Sequence, residues 1–170
     1  MSDSLINKVA ESGIVTIDLG ALVPKKPIVV FDIKDYLFMG LILKEKDFRE
    51  ALKNISTEKF ANNIVAVTCS AEAIVPMWAY MLVASLLEPI SAGVYFGNEE
   101  EVKKKLLLQS ISEINTNDYD DKRVVVKGCG EEPIPEEAYL LITTRLRPVA
   151  KSIMYGEPCS TVPVYKKAKP

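Results

Sequence analysis

Apolar and polar positions along the chain change period several times, and each change marks an element. Short apolar runs at 13–19 (GIVTIDL) and 27–33 (PIVVFDI) predict strands, with ALVPKKP as a turn between them. From 44 to 55 (KEKDFREALKNI) the period becomes helical, and Phe48, Leu52 and Ile55 fall on one face. A strand at 64–68, a helix at 76–88 and a strand at 92–97 follow. Next come a charged helix at 98–112, a strand at 123–128, a helix at 135–147 and a strand at 152–156, with 157–170 as a C-terminal tail.

The runs near residues 64 and 123 are rich in Val, Ile and Ala without strict alternation, as in central strands buried on both sides. Strands alternating with long helices predict an α/β fold. The expectation is a single domain over 1–170, with a mostly parallel sheet covered by helices on both faces. The N-terminal strands, at about 13–33, are expected to add an antiparallel edge.

An internal repeat lies beneath this pattern. A shift of 59 positions brings Phe60 onto Tyr119, Val65 onto Val124 and Val67 onto Val126. It also brings Pro76 onto Pro135, Ala79 and Tyr80 onto Ala138 and Tyr139, Pro89 onto Pro148, and Gly97 onto Gly156. Two strand–helix–strand units are therefore expected, at about 60–97 and 119–156. Proline is tolerated in the first helical turn and disfavours helix in the residue before it, so each pair of prolines brackets a helix. The helix at 76–88 is apolar nearly all round and is expected to be enclosed by protein or to lie in a subunit contact, whereas 135–147 has a polar face. A homodimer is one expected arrangement.

Composition then narrows the chemistry. A net charge of −2 over 170 residues gives no electrostatic case for nucleic acid or acidic lipid, so neither nucleic acid nor membrane is an expected partner. The longest apolar run, 73–87, is interrupted by Pro76 and is shorter than the roughly 20 residues that span a bilayer. No secretory signal pattern is seen at the start, and three widely spaced cysteines suit a reducing compartment; a cytoplasmic location is expected. Histidine is absent, which removes His-assisted hydrolase chemistry and His-based metal sites. GCGEEP at 128–133 begins like a dinucleotide loop, but Pro133 replaces the third glycine and two glutamates would repel a pyrophosphate.

The cysteines carry the remaining chemistry. Under the shift, Cys129 meets Ser70 and Cys69 meets Gly128, so both cysteines sit in the same strand-to-helix link. Cys159 lies just past the strand at 152–156. On one parallel sheet all three would share the carboxyl edge, where α/β folds place ligands. Cys69, Cys129 and Cys159 are therefore the candidate metal ligands, for zinc or an iron–sulfur cluster, with Glu72, Glu131 or Glu157 as a fourth. A thiol-based redox protein or enzyme, and a non-catalytic interaction protein whose cysteines merely pack, are the two alternatives.

FDIKDYLFMGLILKEKDFREAL, TCSAEAIVPMWAYML, KGCGEEPIPEEAY and SIMYGEPCSTVPVYKK together resemble the bacterial family of unknown function numbered 2480. The resemblance covers nearly the whole chain and brings no activity with it. It implies a gene neighbourhood with iron–sulfur assembly functions, and hence iron–sulfur assembly proteins as expected partners.

Overall fold

The computed structural model describes residues 13–128, 130, 133–157 and 159–168. Strands β1 (Ile14–Asp18), β2 (Ile28–Asp32), β3 (Ile64–Thr68), β4 (Gly93–Phe96), β5 (Arg123–Lys127), β6 (Ser152–Glu157) and β7 (Ser160–Lys166) are joined by helices. The α-helices are α1 (Glu45–Lys53), α2 (Met77–Leu87), α3 (Glu99–Ser112) and α4 (Glu136–Leu146). The α/β class and the dominance of parallel pairing stand as expected.

The strands form two sheets, however, ordered β2-β3-β4 and β1-β5-β6-β7, rather than one. β1 and β2 do not make an antiparallel edge; each joins a different sheet and pairs parallel, to β5 and β3 respectively. The C-terminal tail contains β7, the antiparallel strand against β6. Pro163 within it is compatible with a strand because β7 lies at a sheet edge, where a missing amide is tolerated.

The chain divides into two compact units, one inserted (24–105) and one split (1–23 with 106–170). Each has its own hydrophobic core. In the inserted unit Phe31, Val65 and Val67 meet Phe48 and Leu52 of α1 and Ala79, Val83 and Leu87 of α2. In the split unit Ile17, Val124, Val126 and Ile153 meet Leu107 and Ile111 of α3 and Ala138, Ile142 and Leu146 of α4. Strand registers in the two sheets coincide under the 59-residue shift: Ile64 pairs with Gly93 and Arg123 with Ser152. Ile28 pairs with Ile64 as Ile14 pairs with Arg123.

Local chemistry explains the element ends. Pro76 and Pro135 occupy the position before the first helical residue, in extended conformation. α3 opens on a reciprocal cap, in which Asn98 Oδ1 accepts from the Glu101 amide (3.0 Å) and Glu101 Oε2 accepts from the Asn98 amide (2.8 Å). β3 is buried along four of its five residues and β5 along three, as the unbroken apolar runs predict.

Candidate functional site

At the carboxyl end of the inserted sheet, Asp32 closes β2 and caps the short 3-10 turn that follows. Its Oδ1 accepts from the amides of Lys34 and Ser70, both at 3.0 Å, and its Oδ2 accepts from the Ser70 hydroxyl at 2.5 Å. Burial alone would raise the Asp32 pKa. The Ser70 hydroxyl, the amides of Ser70 and Lys34 and the Lys34 charge outweigh it and hold the carboxyl below its ordinary value. Beside this tie, half-buried Cys69 directs its thiol at the Ala71 carbonyl, 3.7 Å away, and packs against the core. Burial, reinforced by the charge of a Cys69 thiolate, pushes the Tyr80 phenol above its ordinary pKa. The Tyr80 ring in turn meets the Phe96 ring edge-on at 5.6 Å.

The split sheet repeats the plan with different chemistry. Asp18 ends β1 and caps its own 3-10 turn through the Gly20 amide at 3.0 Å. Here the second strand supplies Lys127, whose Nζ lies 3.3 Å from Asp18 Oδ2 and 3.7 Å from Glu157 Oε1. Asp18 first, then Glu157, raises the lysine pKa. Tyr139 meets Tyr155 edge-on at 5.7 Å, as Tyr80 meets Phe96. Sequence reasoning passed over Asp18, Asp32, Ser70 and Lys127. The available signal was the aspartate ending each of the first two strands, in TIDLG and VFDIK.

Cys69 and Cys159 do not share one sheet edge, because there are two sheets. Cys69 follows β3 in the inserted unit, and exposed Cys159 lies in the β6–β7 turn of the split unit. Cys129 and Glu131 lie outside the described residues. Glu72 is exposed in the link before α2, and Glu157 is engaged with Lys127. Among the described residues there is no group of three or more Cys, Asp or Glu that could hold a metal ion. The donor set expected for zinc or an iron–sulfur cluster therefore has no support in them. No helix is long and apolar enough to cross a membrane among those residues.

The most unusual surface belongs to α2. Ala79, Val83 and Leu87 face the core, Trp78 lies beside Phe48 of α1, and Tyr80 lies against Phe96. The fourth side is open: Met77 is 70% and Met81 72% exposed, and Ile74 just before the helix is 92% exposed. The expected enclosure of this helix is thus incomplete within the chain. A tight turn at Phe38–Ile42, with Met39 and Gly40 both at positive φ, exposes further apolar side chains in the same unit.

Neither a curated protein nor a solved structure matches the chain. A family model described as "Protein of unknown function (DUF2480)" matches residues 3–167, and the chain belongs to that family.

Proposed function

We propose that the protein is a non-catalytic interaction module that pairs with a second copy of itself through the outer face of α2. One observation carries this reading: Met77 to Leu87 contains no charged residue, yet one side of the helix is exposed in the isolated chain. A helix that is apolar nearly all round is normally covered by protein, and exposed apolar surface marks contact sites. In this reading Cys69 packs against the core beside Tyr80 and binds nothing.

Light scattering of the purified protein tests it. The wild type should have the mass of a dimer, and the variant Met77→Glu with Met81→Glu should have that of a monomer with an unchanged circular dichroism spectrum. A wild type that stays monomeric at high concentration overturns the proposal. The same material, prepared without air and assayed for iron, zinc and visible absorbance, separates the metal-thiolate alternative. Metal that is lost on Cys129→Ser would support that alternative against a purely structural role for the cysteines.

A further inference from the structure

The repeat leaves one strand position filled in one sheet and bare in the other. β6 carries β7 on its outer side, antiparallel, whereas β4 ends its sheet among the described residues. β4 and β6 hold the same register against β3 and β5, so Val94 matches Ile153 and Phe96 matches Tyr155. Cover by β7 is visible at those positions: Ile153 is buried where Val94 is only partly so, and Tyr155 is 43% exposed where Phe96 is 70%. β1 and β2 also end their sheets, but in matching positions, so the repeat gives no example of a cover there. Open sheet edges are normally blunted by charge, proline or a bulge. β7 has Pro163 and a register shift, while β4 (GVYF) has none of the three.

The helices indicate what the missing cover must bring. α2 packs on Val65 and Val67 of β3, and its Tyr80 meets Phe96 of β4. Met77 and Ala84 lie three and four residues from Tyr80, on the flank nearest the β4 edge. α4 is placed likewise over β5 and β6, but Glu136 stands where α2 has Met77. A strand alone thus suffices beside a flank that keeps a charge. α2 has no charged residue from Met77 to Leu87, so its edge needs a strand and apolar helical cover together. A second copy of the same unit supplies both. Across a two-fold axis a strand meets its own copy antiparallel, the direction of β7 on β6. With strands about 4.8 Å apart and α2 above β3 and β4, the two copies of α2 come to lie roughly 10 Å apart, a helix-packing distance.

We infer that β4 pairs edge to edge with β4 of a second copy, joining two three-stranded sheets into one continuous sheet. Met77 and Ala84 of each α2 then meet the other α2 above the joint. The inference rests on the pairing through α2 proposed above and gives that pairing a backbone component. The Gly97 amide donates to the Val67 carbonyl, so by strand alternation the Tyr95 amide also points to β3, and those of Val94 and Phe96 point outward. Those two amides bond the second copy, as the outer side of β6 bonds β7.

Residue-resolved hydrogen exchange by NMR, with light scattering, tests it on the full chain. In the wild-type dimer the amides of Val94 and Phe96 should exchange about tenfold or more slowly than in the monomer formed by Met77→Glu with Met81→Glu. The Tyr95 amide should change less. Val94→Pro removes an outward amide, which an edge strand tolerates, and should give a monomer with an unchanged circular dichroism spectrum. Phe96→Lys puts a charge at an exposed edge position and should do the same, which decides the matter if the proline variant does not fold. A dimer that Met77→Glu with Met81→Glu dissociates, but that both edge variants leave intact with the two amides unprotected, overturns this inference and leaves the α2 contact standing. A wild-type monomer overturns both, and protected amides in that monomer would assign the edge to a segment of the chain itself.

Discussion

A Cβ added at Gly128 would collide with the hydroxyl of Tyr139 and stand 3.0 Å from its Cζ and 3.2 Å from Ile134 Cγ1. In the other unit the matching residues are Cys69 and Tyr80, so the same phenol has been accommodated in two ways, beside a thiol and over a bare glycine. Gly128→Ala should destabilise by about 1–3 kcal/mol through overpacking. The loss should be smaller in a Tyr139→Phe background, as a double-mutant cycle by urea unfolding would show; equal losses in both backgrounds would mean that the hydroxyl is not what the glycine admits. Asp32 gives a pH-dependent counterpart. Its folded pKa is depressed, so its contribution is fully present above about pH 4, the ordinary carboxylate value, and is lost as pH falls through the folded value. Ser70→Ala should therefore lower stability by about 1 kcal/mol at pH 7. The deficit should shrink as pH falls below the ordinary carboxylate value and Asp32 becomes protonated, and a deficit independent of pH would assign the loss to packing instead.

Hydrophobic period reads elements well because each is a local matter of which face is buried. It places β3 at its observed ends, α2 and α4 within one residue at each end, and α3 within one residue at its start. Sheet membership is not local. β1 and β2 are similar apolar runs separated by a short link, and nothing in either run says that one pairs with residues 64–68 and the other with 123–127. That ambiguity is why three cysteines looked like neighbours on one edge. The strand in the tail was missed; Pro163 interrupts its Val162–Val164 alternation, a penalty that an edge strand escapes. Enclosure of α2 was legible only in part, since composition says that a helix needs cover without saying whether the same chain supplies it. α3 shows what a cap contributes at this scale. Asn98→Ala should remove one half of the reciprocal cap and lower stability by about 1 kcal/mol. Equilibrium urea unfolding would measure it, and Glu101→Ala should be partly redundant with it, because each side chain holds the other's end of the same turn.

Over the whole molecule the same strand register is used twice, with matched core positions: Phe48 and Leu107, Leu52 and Ile111, Val83 and Ile142, Leu87 and Leu146. Neither core cluster includes a buried residue from the other unit. Stability should therefore be organised by unit, with each core governing the opening of its own strands. Val83→Ala and Ile142→Ala are matched probes, because both side chains are fully buried and lie at the same register position. The valine change should cost about 1–2 kcal/mol and the isoleucine change about 2–4 kcal/mol, the larger removal leaving the larger cavity. Hydrogen exchange read by mass spectrometry locates the effect. Val83→Ala should accelerate exchange in β2, β3 and β4 before β1, β5 and β6, and Ile142→Ala should do the reverse. Acceleration spread evenly over both sheets in either variant would show that the two cores open as one cooperative body, and that the shared register reflects common local grammar without independent stability.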